Sequence, residues 1–293
     1  MQLFVAVLLV LVSSVCAENV QREPEYGPAY GYIKNVGIPE AERIRKAEEN
    51  YLSSRIVGGV PAALGQYPFQ AGLLGDVTGS SAFSVCGGSL VSASRVISAA
   101  HCWFDGIHQI WRFTVVLGSV LLFTGGTRVE TSAVVTHPSY VPTLSRNDVC
   151  VLFLPNAVTS SDTISPISLP IGSQLFENFA GESAIAIGYG ITSDGNSIST
   201  NQFLSHVSLS VVTNSVCMMA YPLNVQASSI CTSGIGGIGP CTGDSGGPLI
   251  VMRNNRPVLI GVSTSVSSLG CQANMPAIYA RTTSFVDFFN THI

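Results

Sequence analysis

Lysine is missing from the whole stretch 56–293; the chain's only two, Lys34 and Lys46, precede it. That excludes a surface whose charge titrates away near pH 10.4, because Arg95, Arg112, Arg128, Arg146, Arg253, Arg256 and Arg281 stay protonated beyond roughly pH 12. Such a surface keeps its ion pairs in a strongly alkaline fluid. Charge is scarce overall, at 10% of residues with a formal net of -4 and no basic run, which leaves no footprint for nucleic acid. No apolar run reaches the roughly 20 residues that span a bilayer, so no membrane partner is expected. No Asn-X-Ser/Thr triplet offers an N-glycosylation site. No Cys/His cluster has zinc-finger spacing, and the loop from Leu117 to Val129 holds no carboxylate for calcium; neither a metal nor another cofactor is expected.

What is present is a long chain, 293 residues, of which 46% are hydrophobic, enough for a packed core. Leu3 to Val12 form an apolar run too short to span a bilayer, followed by Ser13, Ser14 and the small-residue site Val15-Cys16-Ala17. This pattern predicts a secretory signal peptide, residues 1–17, cut after Ala17. Residues 18–55 follow as a charged segment ending in Arg55, with Glu40, Glu42, Arg43, Arg45, Lys46, Glu48 and Glu49 in one exposed helix. From Ile56 on, short apolar runs alternate with Gly, Pro, Ser and Asn: Phe69 to Leu74, Ser89 to Ser98, Phe113 to Leu117, Val149 to Leu154, Ala184 to Ile187, Leu249 to Val251 and Val258 to Ser263. Many short strands between turns predict an all-β sandwich or barrel. Phe285, Val286, Phe288 and Phe289 predict a short terminal helix. Secretion favours disulfides for the eight cysteines. Loss of Cys16 leaves seven, an odd number whose partners spacing cannot assign.

One hexapeptide organises the rest: Gly243-Asp244-Ser245-Gly246-Gly247-Pro248. A serine hydroxyl needs a neighbouring base to become a nucleophile, and the oxyanion formed by its attack needs converging backbone N–H groups, which glycines leave unobstructed. Alone, such a turn is more often a plain loop. Upstream, however, stand Ser98-Ala99-Ala100-His101-Cys102, Asn147-Asp148-Val149-Cys150-Val151-Leu152 and Arg55-Ile56-Val57-Gly58-Gly59. These four motifs in this order resemble the chymotrypsin-like serine proteases, most closely insect digestive chymotrypsins and serine collagenases, over residues 56–293. The order His, Asp, Ser is that of chymotrypsin.

The resemblance implies two six-stranded antiparallel β-barrels with the active site in the cleft between them and a short C-terminal helix. It implies His101 as general base, Asp148 as its orienting carboxylate, Ser245 as nucleophile, and the N–H groups of Gly243 and Ser245 as the oxyanion hole. It pairs Cys86 with Cys102, Cys217 with Cys231 and Cys241 with Cys271, leaving Cys150 as a small buried thiol. Residues 18–55 become an activation propeptide: after a cut behind Arg55 the new Ile56 ammonium pairs with Asp244. Lacking a cysteine, that segment then dissociates. Gly239 stands where trypsin-like relatives carry an aspartate, so with Thr264, Ser265, Val266 and Ala277 it implies an uncharged pocket for an apolar or aromatic side chain. Val266 narrows its mouth, which keeps open an elastase-like preference for smaller aliphatic residues; a non-enzymatic homologue is the other alternative. The implied partners are protein or peptide substrates, an activating trypsin-like protease and protein protease inhibitors, acting on a secreted, extracellular monomer.

Overall fold

The computed structural model describes residues 26–54, 62–191, 203–265 and 270–293. Its first half is an antiparallel sheet of β1 (Gln70–Val77), β2 (Phe83–Ser92), β3 (Arg95–Ser98), β4 (Ile110–Leu117), β5 (Thr127–Thr131), β6 (Val134–Thr136) and β7 (Cys150–Phe153), in the order β5-β4-β1-β2-β3-β7-β6. The apolar runs of the sequence became these strands because they bury wholly, as Leu73, Leu90, Val96, Ile97 and Val115 do. Where six strands were expected there are seven. The edge strands β5 and β6 are consecutive in the chain, separated only by Ser132 and Ala133, so one strand broken at that point serves both edges of the curled sheet.

The second half is a closed six-stranded barrel: β8 (Ser183–Gly188), β9 (Ser205–Val212), β10 (Ser229–Thr232), β11 (Pro248–Arg253), β12 (Arg256–Ser265) and β13 (Ala277–Arg281), ordered β10-β13-β12-β11-β8-β9. Closure removes every free edge. Its core gathers Leu209, Ile230, Leu249, Ile260 and Tyr279. The disulfides are Cys86–Cys102, Cys217–Cys231 and Cys241–Cys271, and Cys150 is a buried free thiol. The terminal helix α3 (Val286–His292) packs Phe289 inward; a short α2 (Asn214–Ala220) carries Cys217.

The N-terminal helix departs from expectation. Helix α1 (Ile38–Ser54), continued from a turn at Ile33–Gly37, is not an exposed charged rod. Ala41, Ile44 and Ala47 recur three residues apart and are buried, and Tyr32, Ile33, Ala41 and Ile44 belong to the same apolar cluster as the first half's core. Its outer face is charged as predicted, where Arg45 bonds Glu42 at 2.8 Å and Glu49, and Lys46 bonds Glu42 at 3.2 Å. Gly37 lets this segment touch β2: a Cβ there would lie 1.9 Å from the Ser84 hydroxyl. Among the described residues no helix is long and apolar enough to cross a membrane.

Candidate active site

Strand pairing brings His101 and Asp148 together. Ser98 at the end of β3 pairs with Cys150 at the start of β7, so three residues beyond one strand and two before the other land side by side. His101 lies in the short helical turn Ala100–Cys102, held by the disulfide to Cys86 on β2. Asp148 follows Asn147, whose φ of 52° is tolerated because asparagine enters the left-handed region more readily than most residues. The carboxylate takes two bonds from one residue: the His101 N–H donates to Oδ1 at 2.8 Å, and Nδ1 lies 2.7 Å from Oδ2. Both side chains are wholly buried. A buried carboxylate is costly unless so paired.

Ser245 is delivered by the turn before β11. The two halves of the molecule touch at this point, where the Gly87 N–H on β2 donates to the Ser245 carbonyl at 2.7 Å. A Cβ on Gly87 would sit 2.9 Å from the Cα of Gly247, so glycine is required for that approach. Asp244 faces away from the solvent, its Oδ1 accepting from Gly190 N at 2.7 Å and its Oδ2 from Cys241 N at 2.8 Å. Burial raises its pKa to about 6 against the opposing pull of those two donors. Gly243 adopts a φ of 96° beside it.

The nucleophile and base do not meet. His101 Nε2 is buried without a hydrogen-bond partner. The ring of Tyr32 lies edge-on to the imidazole, centroids 4.5 Å apart, while its hydroxyl donates to Val85 O at 3.0 Å and lies close enough to interact with the Ser245 side chain. Burial pushes the Tyr32 phenol well above its ordinary pKa, so it stays a neutral donor. No motif singles out Tyr32; the apolar pair Tyr32-Ile33 leading into the Ala41, Ile44, Ala47 stripe was the available signal.

Of the residues expected to form a specificity pocket, Gly239, Thr264 and Ala277 lie among the described residues with their side chains. Gly239 lines a cavity with Gly188, Ile191, His206, Asp244 and the Cys241–Cys271 bridge. Ala277 is instead buried in the second barrel's core, paired with Thr232 across β10 and β13. Thr264 lines one cavity with Asp148, and its hydroxyl donates to Ile278 O at 3.2 Å. Ser265 ends β12, and Arg55, Ile56 and Val266 lie outside the described residues. Among the described residues the one grouping of metal-capable side chains is Cys86, His101 and Cys102, two of which are spent in a disulfide, so it does not fit a metal.

The sequence model of the Trypsin family matches residues 56–289. A collagenase of Hypoderma lineatum is 34% identical over 236 residues, 80% of this chain and 85% of that protein. A brachyurin of Leptuca pugilator is 31% identical over 242 residues, 80% of this chain and 97% of the other. The solved structure of an HL collagenase superposes with a TM-score of 0.72 at 33% identity, covering 81% of this chain and 99% of that one.

Proposed function

Because the chain belongs to the trypsin family of serine endopeptidases, we propose that it is a secreted, digestive zymogen, cut after Arg55 and hydrolysing peptide bonds after apolar residues. The observation that carries this reading is the buried His101–Asp148 pair, whose other ring nitrogen, Nε2, has no hydrogen-bond partner. In the cut enzyme His101 Nε2 removes the proton from Ser245 Oγ as that oxygen attacks the scissile carbonyl. The imidazolium so formed is stabilised by Asp148, and the oxyanion by the N–H groups of Gly243 and Ser245. His101 then returns the proton to the departing amine, and the acyl-enzyme is hydrolysed by water along the same path reversed.

Activation turns on Asp244. Among the described residues the Asp244 carboxylate accepts from the backbone N–H groups of Gly190 and Cys241 and feels the Arg43 charge, yet its pKa stays raised; a new Ile56 ammonium would supply a paired cation. The cavity lined by Gly188, Ile191 and His206 beside Asp244 offers the Ile56 side chain an apolar seat. Secretion is supported by three disulfides, and an apolar preference by the absence of a carboxylate at Gly239. The named collagenases and brachyurin support protein substrates. Profiling a mixed peptide library with the activated enzyme tests the reading. Cleavage after apolar residues is expected, and a dominant preference for Lys or Arg would overturn the specificity.

A further inference from the structure

Residues 26–54 are anchored to the first half of the molecule at several points. Gly27 N donates to Thr143 O at 2.6 Å, Ala29 N to the Ser145 hydroxyl at 3.0 Å and Ile33 N to Asp105 Oδ2 at 2.8 Å. At the far end the buried Glu48 carboxylate is received by a nest of donors: Leu122 N, Phe123 N at 3.0 Å and Thr124 Oγ1 at 3.3 Å. Between these anchors the Tyr32 ring packs edge-on against His101, and its hydroxyl reaches the neighbourhood of the Ser245 side chain.

We propose that residues 26–54 are an inhibitor of this enzyme in their own right, a peptide ligand that fills the catalytic cleft whether or not the Arg55–Ile56 bond is intact. The inference rests on the reading of Ser245 as nucleophile and of Arg55 as the cut site. Three observations carry it. First, the anchors Val85, Asp105, Leu122 to Thr124 and Thr143 all belong to the first half, whose His101–Asp148 pair is already assembled before any cut. Second, what faces Ser245 is a phenol hydroxyl, which has no acyl carbon to be attacked and so is not consumed. Third, no cysteine in 26–54 tethers the segment, so its hold is that of these contacts alone. The expectation that it leaves on cleavage is thereby replaced by an affinity.

The test uses the full chain with residues 51–55 replaced by a recognition sequence that a site-selective protease cuts immediately before Ile56. A general trypsin-like enzyme would also cut at the exposed Arg45 and Lys46 and destroy the ligand. After complete cutting, turnover of a small ester substrate is followed over a dilution series, and a synthetic peptide of residues 26–54 is added back. Specific activity should rise at least about tenfold on dilution and fall again with micromolar peptide. Tyr32→Ala and Glu48→Ala should each weaken inhibition by about tenfold or more, whereas Glu49→Ala on the outer face should leave it unchanged. Full specific activity at every concentration, indifferent to added peptide, would overturn the inference while leaving the proposed function standing. Inactivity at every dilution, shared by the cut Tyr32→Ala chain, would remove the proposed function and this inference together.

Discussion

The two halves of the molecule differ in how far each has prepared its share of the site. In the first, His101 and Asp148 are locked at 2.7 Å on the ends of paired strands and pinned by the Cys86–Cys102 bridge. In the second, Ser245 and Asp244 ride on a turn whose glycines Gly243 and Gly246 have positive φ, with Asp244 held by the N–H groups of Gly190 and Cys241. The acid–base pair is thus part of the β framework, whereas under the proposed activation the nucleophile and its oxyanion donors are conditional. Moving a turn costs far less than repacking strands.

The largest effect should come from breaking the prepared half. Asp148→Asn leaves its shape but offers the imidazole the wrong tautomer, and should lower kcat of the cut enzyme by roughly 10⁴-fold with the fold intact by circular dichroism. Breaking the conditional half is predicted to do opposite things to the two forms. Asp244 has a raised pKa in the uncut chain, so its contribution to stability is full below its ordinary value near 3.8 and is lost as pH rises through about 6, by up to about 3 kcal/mol. Asp244→Asn should therefore remove that pH slope from the melting temperature of the precursor and raise its stability at pH 7, while leaving the cut chain inactive. A precursor whose melting temperature rises with pH between 4 and 7 through this residue would contradict the account. The smallest effect concerns the outer surface of the second half. Arg253 bridges Glu177 at 2.6 Å and Glu182 at 2.7 Å. Arg253→Lys should cost at most about 1 kcal/mol at pH 7, and only above roughly pH 10 should its melting temperature fall clearly below the parent's. A parallel pH profile for the two proteins would detach the missing lysines from alkaline tolerance.

Much of the site could be read from the sequence because motifs are short and covalent. His101 beside Cys102, Asp148 before a buried strand, and Ser245 between glycines each carry their own context. The pocket carries no such context: Gly239, Ser265, Val266 and Ala277 are assigned only by counting along the chain, and Ala277 packs in the second barrel's core cluster. The run Glu40 to Glu49 was misjudged for a different reason. A carboxylate signals solvent by its charge, but Glu48 is satisfied by the N–H groups of Leu122 and Phe123, some 75 residues away, a partner no local pattern contains.

Tyr32, Ile33, Ala41 and Ile44 share one apolar cluster with the first half of the molecule. Withdrawing them wets both the segment and the face it covered, and newly hydrated apolar surface absorbs heat capacity. Release of the segment should therefore follow a curved van't Hoff plot, with a temperature of tightest hold and weaker retention on either side. A calorimeter would see it as a negative heat-capacity change when the peptide rebinds. For an organism whose body follows its surroundings, the same protein would then be held in reserve to different degrees in warm and cold, with no change in sequence or in the activating protease.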